Sequence, residues 1–553
     1  MIRAIIRFRE EKPLAFLIVI AFLVRLIAVF FAKGYMMHDD HFLTIEPSSS
    51  WADGFNFNEW APGIGNNRTS PEPISFFYLG FLFVFFKVFN FFGIENPDTQ
   101  MFLMRFIHAS YSLLTIYFAY KITLLISGKK NAFQVGLLLA LLAFVPNFSV
   151  RNLVEFVSQP PLLAGVYLLL KHNAFHAVTW RIPFGNKSIT FHEGLNSSIS
   201  IGLGKVALAA FILGLAVGFR YQTVLIVALL GSIFILQKEW GKFIVYGAFA
   251  FTAFFITQID DVLFWGGQPF QHLLGYFGYN AKNALNYPGA TLTYLSFIGY
   301  YILPPVSLFL LWGFIKEWKR LLFIMWPVGF FILFHIVYPN RQERFILPAL
   351  PFFVIAGVIG WNRFREFSSF WMKREKLQKV LWSLFWAINT AALLVLSTTY
   401  SKRSRVEAML YLYNQGDCKN FVQEFTYTDG GPLVPQFYAG NWSWYYVWRK
   451  GTNISEDFSI MDNAAVDFAG TMKPKPIPNY ILFYNDENIE ERIQHVQEFA
   501  QLEYCTTIEP GWFDKLLHRL NDKNSLEKVR IYKMQVTGDQ RPTTDDRRPT
   551  TGD

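Results

Sequence analysis

Apolar runs of membrane length dominate the first 400 residues of the chain. Between Lys12 and Leu396 they recur one after another, each of roughly 20 residues. Because a bilayer offers no hydrogen-bond partner to the backbone, runs of this length form helices that cross it. Only 16% of the residues are charged, against about 25% in a soluble domain. The sequence therefore predicts an α-helical polytopic membrane protein.

The basic N-terminal segment sets the expected orientation. Arg3, Arg7, Arg9 and Lys12 precede the first run, and basic residues favour the cytoplasmic side. The run is longer than a signal peptide's apolar region and no small-residue cleavage site follows, so we expect a retained span. We predict about eleven spans. After the first, they cover 102–126, 132–149, 156–171, 201–218, 221–236, 242–259, 292–314, 321–338, 345–361 and 379–397.

The apolar run at 74–93 is left out of this count because of charge. Without it, the basic loops at 129–130, 238–242, 316–320 and 371–379 all face the cytoplasm. With it, all of them would face outward, against the positive-inside rule. We expect this run to lie in or near the outer interface, with an ordinary span as the alternative.

The same orientation gathers the polar residues of the spans on the non-cytoplasmic face. Charge near membrane depth is costly and marks a functional cavity, although each residue alone could snorkel or cap a helix. The set comprises Asp39, Asp40, Arg68, Arg105, Arg151, Asn152, Glu155, Arg220, Gln222, Asp260, Asp261, Asn280 and the segment 340–345.

Composition changes after Leu396, where strand-like runs (FVQEFTY, NYILFY and VRIYKM) alternate with helix-like runs such as RSRVEAMLYLYN. We predict a transmembrane domain at 1–398, with an outer catalytic loop at 34–101, and a small extracytoplasmic α/β domain at 399–537. The tail at 538–553 lacks apolar residues, so we expect disorder. The only cysteines, Cys418 and Cys505, could pair on the oxidising side or stay as thiols.

Adjacent carboxylates beside arginines suit a transfer reaction on this outer face. A positioned aspartate can take the proton of an attacking sugar hydroxyl, and arginines can bind a phosphate leaving group. Nucleotide sugars are cytoplasmic, and the chain has no nucleotide-binding loop, so the donor would be carried on membrane lipid. No CxxC motif or His/Cys cluster occurs, so zinc has no candidate site, and we expect no metal site and no cofactor. The net charge of +9 reflects the cytoplasmic loops, and we expect no nucleic-acid partner.

Several ordered motifs resemble those of the polytopic α-mannosyltransferases of the GPI-anchor and N-glycan pathways, glycosyltransferase family 22 of the GT-C superfamily. The resemblance covers about 14–415. HDDHFLTIE at 38–46 is similar to the family's first outer-loop pattern PDE-x-W/F-Q-x-x-E, with His38 in place of proline and Asp40 in place of glutamate. The other matching segments are WAPGIGNNRTS, VRNLVEFVSQ, FRYQT, IDDVLFWGGQPFQHLLGYFGYN and NRQERFILPALPFF.

The resemblance implies a GT-C fold, a polyprenyl- or dolichyl-phosphate-mannose donor, a glycan or glycolipid acceptor and inversion at the anomeric carbon. It implies catalytic roles for Asp39 and Asp40, and donor-phosphate binding by Arg344, Arg341 and Arg220. The alternative for Arg344 is an ion pair with Glu343. Acceptor or loop positioning would fall to Glu46, Arg68, Arg151, Glu155, Asp260, Asp261 and Asn280.

Other functions remain open from the sequence. A transporter or flippase of lipid-linked sugars would also carry intramembrane charge, but nearer the midplane and often with internal repeats. A transferase using another lipid-phosphate sugar and a pseudoenzyme are further alternatives. We expect a bacterial inner membrane with a periplasmic active face, with the endoplasmic reticulum membrane as the alternative.

Overall fold

A computed structural model gives the structure of the chain. It describes residues 2–57, 74–181, 188–192, 202–263, 267–286, 289–290, 292–426, 432–442, 445–449, 459–460, 478–498, 500–522, 524 and 526–536. The predicted disordered tail at 538–553 lies outside these residues.

Helices account for most of the described chain. In order they are α1 (Ile2–Glu11), α2 (Pro13–Phe31), α3 (Ile45–Ala52), α4 (Phe76–Phe91), α5 (Pro97–Leu141), α6 (Val145–Ser149), α7 (Val154–Val157), α8 (Gln159–Lys171), α9 (Leu203–Phe219), α10 (Val224–Leu236), α11 (Trp240–Ile256), α12 (Asp260–Leu263), α13 (Gln271–Asn283), α14 (Thr293–Ile302), α15 (Val306–Lys316), α16 (Leu322–Val337), α17 (Leu350–Phe367), α18 (Ser369–Met372), α19 (Glu375–Ser397), α20 (Arg403–Gln415), α21 (Ile489–Gln497) and α22 (Trp512–Leu520). Short 3-10 helices cover Tyr221–Thr223, Glu343–Ala349 and Gln436–Ala439.

Five helical segments of the described chain are long and apolar enough to cross a membrane. They are Pro13–Phe31, Pro97–Leu141, Trp240–Leu263, Glu343–Phe367 and Glu375–Ser397. Shorter apolar helices accompany them, at Phe76–Phe91, Leu203–Phe219, Tyr221–Leu236, Val306–Lys316 and Leu322–Val337. The chain is therefore a multi-pass membrane protein. The count of eleven spans stays a prediction.

Two of the predicted spans are divided in the structure. The predicted span at 292–314 is two helices, because Pro304 and Pro305 lie between α14 and α15 and proline offers no backbone N–H. In the other, 132–149, the long helix ends at Leu141 and the short α6 follows. Gly128 interrupts α5 between the predicted spans 102–126 and 132–149, with a φ of +79°, and positive φ is readily accessible only to glycine.

The apolar run at 74–93 forms α4. One face of the helix is buried, with Tyr78, Leu82 and Phe86 inside, whereas Val84 and Phe91 are exposed. An apolar helix with one exposed apolar face suits contact with lipid or its interface. Its placement at the outer interface stays a prediction.

In the predicted cytoplasmic loop 172–199, strands β1 (Val178–Arg181) and β2 (Ser188–Phe191) pair antiparallel.

The C-terminal residues form a six-stranded mixed sheet. Its strands are β3 (Phe421–Phe425), β4 (Tyr446–Arg449), β5 (Ser459–Ile460), β6 (Tyr480–Tyr484), β7 (Ala500–Ile508) and β8 (Val529–Val536), in the order β5-β4-β3-β6-β8-β7. Strands β4 and β6 run parallel to β3, and the other pairs are antiparallel. The strand-like runs read from the sequence correspond to β3, β6 and β8.

Both faces of the central strands are buried, and alternate residues belong to different cores. In β6, Leu482 joins the core that includes α20, while Ile481 and Phe483 join the core under α21. The first of these cores continues into α3, α4 and the start of α5 through residues such as Ile45 and Phe86. The sheet is thus packed directly against α3, α4 and the start of α5, and α3 follows the loop that carries Asp39 and Asp40.

Candidate active site

A cavity of about 80 Å³ lies where the loop after α2 meets the ends of several apolar helices. Polar and apolar side chains share its wall. The lining residues are Asp39, Asp40, Leu43, Thr44, Ile74, Ser75, Leu79, Asn152, Leu153, Val154, Glu155, Phe219, Arg220, Tyr221, Gln222, Tyr276 and Arg344. The structure therefore brings together five of the predicted site residues from four separate segments of the chain.

Asp40 is buried and holds the shape of the loop that carries it. Its carboxylate accepts hydrogen bonds from the backbone N–H of Met36 and of Met37, both at 3.2 Å. Its carbonyl accepts one from the Thr44 hydroxyl at 2.9 Å. Burial raises the pKa of the Asp40 carboxyl, although the charge of Arg151 acts in the opposite direction. These contacts fix the loop that presents Asp39, and the catalytic role of Asp40 stays a prediction.

Asp39 is the accessible member of the pair, with 41% of its side chain exposed. Its carboxylate accepts a hydrogen bond from the Arg344 guanidinium, and its Oδ1 lies 3.6 Å from Nδ1 of His38. Burial would raise the pKa of Asp39, but His38 and Arg344 outweigh it and lower the pKa below its usual range. Asp39 is thus an ionised carboxylate at the cavity, next to an arginine.

Arg344 and Arg220 converge on Glu155, which is fully buried. Nη2 of Arg220 lies 3.2 Å from Oε1 of Glu155, and Nε of Arg344 lies 3.9 Å from the same oxygen. Both guanidinium groups also face the ring of Phe345, at 5.1 Å and 5.6 Å from its centroid. One buried carboxylate and one aromatic ring therefore hold two cations side by side. Gln342, at 3.0 Å from Nε of Arg344, fixes that side chain further.

Arg341 and Arg151 are not among the described residues that line the cavity. Arg341 donates hydrogen bonds to the carbonyls of Ile336 and Gly289, at 2.8 Å and 2.9 Å. The chain turns into the 3-10 helix at Glu343, so Arg344 faces the cavity and Arg341 does not. Arg151 donates to the carbonyls of Lys33 and Gly34 and so secures the end of α2.

Glu46 joins the outer loop to the C-terminal sheet. It is buried in α3, 3.1 Å from Nε2 of His41, and accepts a hydrogen bond from the backbone N–H of Phe437 at 3.0 Å. His41 stacks between the rings of Tyr35 and Tyr438. Glu46 therefore connects the loop of Asp39 to the segment around Phe437, and it is not among the residues that line the cavity.

Asp260 and Asp261 lie together beyond the cavity wall, at the start of α12. Both contact His272 from the start of α13, and the N and O atoms of the three side chains lie within 4.8 Å of one another. Asn280, two turns after His272, donates to the carbonyl of Tyr276 and accepts from the hydroxyl of Tyr338. The sequence predicts no metal-ligand cluster, and the structure forms this one across a loop.

Some functional candidates were missed or lie elsewhere. Arg68 and the WAPGIGNNRTS segment fall outside the described residues. Tyr276 lines the cavity and accepts a hydrogen bond from Gln222, a contact between α13 and the 3-10 helix Tyr221–Thr223. Tyr276 lies four residues before Asn280, within the segment IDDVLFWGGQPFQHLLGYFGYN that resembles a family motif. That position could have indicated Tyr276 as a site residue.

Comparison with solved structures identifies the fold. ArnT from Cupriavidus metallidurans in the apo state matches with a TM-score of 0.52 and 9% identity, over 95% of this chain and 98% of that one. ArnT bound to undecaprenyl phosphate matches with a TM-score of 0.51 and 10% identity, over 94% of this chain and 97% of that one. No protein-family model matches the sequence, and the search of curated proteins gives no match. The chain therefore shares the fold of ArnT over nearly its whole length, and its membership of the GT-C superfamily and of family 22 stays a prediction.

Proposed function

We propose that the protein is a membrane glycosyltransferase that moves a hexose, with mannose as the first candidate, from a polyprenyl-phosphate donor to a glycan or glycolipid acceptor. The observation that carries the proposal is the ion pair between Asp39 and Arg344 at the cavity. Asp39 can serve as a base for the acceptor and Arg344 as a cation for the leaving phosphate, and transfer from a sugar phosphate uses both groups. The fold shared with ArnT supports this hypothesis, and one of the two ArnT structures holds undecaprenyl phosphate.

Charge balance indicates how a donor would enter. Asp39 and Glu155 neutralise Arg344 and Arg220 when no donor is bound. A donor phosphate would compete with Asp39 for Arg344, because two guanidinium groups held side by side match phosphate oxygens. The donor would then release the Asp39 carboxylate toward the acceptor. Donor binding would in this way prepare the base for the reaction.

The transfer itself needs one bond made and one broken. The acceptor hydroxyl oxygen attacks the anomeric carbon of the sugar, and its proton passes to the carboxylate of Asp39. The bond from that carbon to the phosphate oxygen breaks, and the lipid phosphate leaves with the electron pair. Arg344 and Arg220 stabilise the charge that develops on the phosphate. Attack opposite the leaving group inverts the anomeric configuration.

The basic loops favour the cytoplasmic side, and this distribution supports a site on the opposite face of the membrane. We propose that this face is the periplasmic side of a bacterial inner membrane. The endoplasmic reticulum lumen is the second candidate location. A membrane-embedded site also suits the donor, because a polyprenyl chain stays in the bilayer while its phosphate meets the cavity.

The experiment that tests the function class uses the purified protein in lipid vesicles. Each vesicle sample receives one radiolabelled donor: polyprenyl-phosphate-mannose, its glucose counterpart or its arabinose counterpart. Lipid-linked and soluble glycan acceptors are added, and both product formation and movement of donor across the bilayer are measured. We expect label to move to an acceptor from the mannose donor. Transfer only from another donor would correct the sugar, and donor crossing without transfer would identify a transporter and overturn the proposal.

A further inference from the structure

The cluster of Asp260, Asp261 and His272 has the composition of a metal site. Nδ1 of His272 lies 3.5 Å from Oδ2 of Asp260 and contacts Oδ1 of Asp261. The backbone N–H of Gly267 donates to the carbonyl of Asp261 at 3.1 Å, which returns the chain toward the cluster. Two carboxylates and an imidazole thus point at one small volume from two helices.

Burial makes this arrangement costly without a further positive charge. Asp261 and His272 have 0% and 1% of their surface exposed. Oδ2 of Asp261 is buried and has no hydrogen-bond donor among the described residues. A buried carboxylate oxygen without a partner destabilises the fold, which is why such atoms normally accept a hydrogen bond or bind a metal.

The charges of the cluster do not balance. Within the part of the chain that the structure describes, His272 is the one basic side chain within 4.0 Å of either carboxylate. A protonated imidazole supplies at most one positive charge against two negative ones. A divalent cation held by one nitrogen and two carboxylate oxygens would neutralise both carboxylates and satisfy the buried oxygen.

We propose that Asp260, Asp261 and His272 bind a divalent transition-metal ion. The mixed nitrogen and oxygen ligands suit zinc or manganese, whereas magnesium and calcium prefer oxygen alone. The ion would join α12 to the first turn of α13. Tyr276 lies one turn further along α13 and lines the cavity, so the ion would position the wall of the cavity and take no direct part in transfer.

Metal binding by the full-length protein tests this proposal. The protein is purified through a tag without histidine, treated with a chelator, dialysed against zinc chloride and analysed for bound zinc. We expect about one zinc ion per chain, and a loss of at least about tenfold in affinity for Asp261→Asn and for His272→Gln. Asp98→Asn and His495→Gln change the same residue types elsewhere and should leave zinc binding unchanged. Cobalt in place of zinc should give a visible absorption spectrum that the two cluster variants lack.

Zinc bound equally by the wild type and by both cluster variants would overturn the proposal. So would a wild type that binds no zinc and gives no cobalt spectrum, and the protonated imidazole would then be the counter-ion. If a cluster variant does not fold, Asp260→Asn replaces the more accessible carboxylate, of which 19% of the side chain is exposed. These measurements involve no sugar transfer, so they stand or fall independently of the proposed function.

Discussion

Arg344 donates a hydrogen bond to the carboxylate of Asp39 across 305 residues of sequence. The contact joins the loop after α2 to the 3-10 helix before α17, and it forms at the wall of the cavity. It makes the protonation of Asp39 depend on whether Arg344 is free, paired with Asp39 or engaged by a donor phosphate.

Removal of the Arg344 charge should raise the pKa of Asp39. The structure holds that pKa below its usual value, in part through this guanidinium, so Arg344→Gln should raise the pKa of Asp39. A base must be unprotonated to act, and the acidic limb of the pH profile of kcat/KM should therefore move to higher pH. Single-turnover transfer measured across pH checks this, with Arg363→Gln as the control. An acidic limb at the same pH in Arg344→Gln and wild type would disprove the coupling.

Arg220 should contribute to donor binding more than to the proton transfer. It lies beside Arg344 on Glu155, and a charge-assisted hydrogen bond contributes about 1.5–3 kcal/mol. Arg220→Gln should therefore raise the dissociation constant for undecaprenyl phosphate about tenfold to a hundredfold. Arg363→Gln also removes an arginine paired with a buried glutamate, at 3.6 Å from Glu317, but on a different helix. Equal dissociation constants for Arg220→Gln and wild type would remove Arg220 from the phosphate site.

The C-terminal sheet should be sensitive to one buried ion pair. Nε of Arg492 lies 2.9 Å and 3.0 Å from the two carboxylate oxygens of Glu424, and both residues are buried. Arg492→Met removes one partner and leaves the charge of Glu424 inside, which costs about 3–5 kcal/mol. We expect a clear fall in the Tm of the purified protein.

The matched control for this change is Arg530→Met. Arg530 pairs with Asp486 at 3.0 Å, but 45% of the Asp486 side chain is exposed. An exposed pair contributes about 0–1 kcal/mol, so the Tm should barely move. Similar Tm changes for the two variants would show that the buried pair has no special role in the sheet.

Local patterns predicted the elements of the fold well. Helix α20 and strands β3, β6 and β8 follow from the periodicity of their apolar residues, because that periodicity is set within a few neighbours. The first span corresponds to α2 for the same reason. Gly128 falls between the predicted spans 102–126 and 132–149, whereas Pro304 was visible as a residue type but lies inside an apolar run and was included in the predicted span 292–314.

Long-range contacts explain what the sequence did not predict. Arg341 and Arg344 are equivalent as residue types, and only the fold shows which one contacts Asp39. The hydrogen bond between Glu46 and the backbone N–H of Phe437 spans 391 residues. No local pattern could therefore indicate that Glu46 connects the loop of Asp39 to the C-terminal segment. The segment 259–280 was matched as a motif, yet the contact of His272 with Asp261 depends on how the loop between α12 and α13 closes.

The Asp39→Asn variant tests most directly whether Asp39 is the base of a transfer reaction. Asp39→Asn removes the negative charge and little volume, and Asp98→Asn makes the same change at an outer carboxylate paired with Lys33. Donor binding and single-turnover transfer are measured on the same samples. We expect Asp39→Asn to bind donor at least as well as wild type but to form no product, while Asp98→Asn does both. Product formation by Asp39→Asn at the wild-type rate would contradict this role of Asp39.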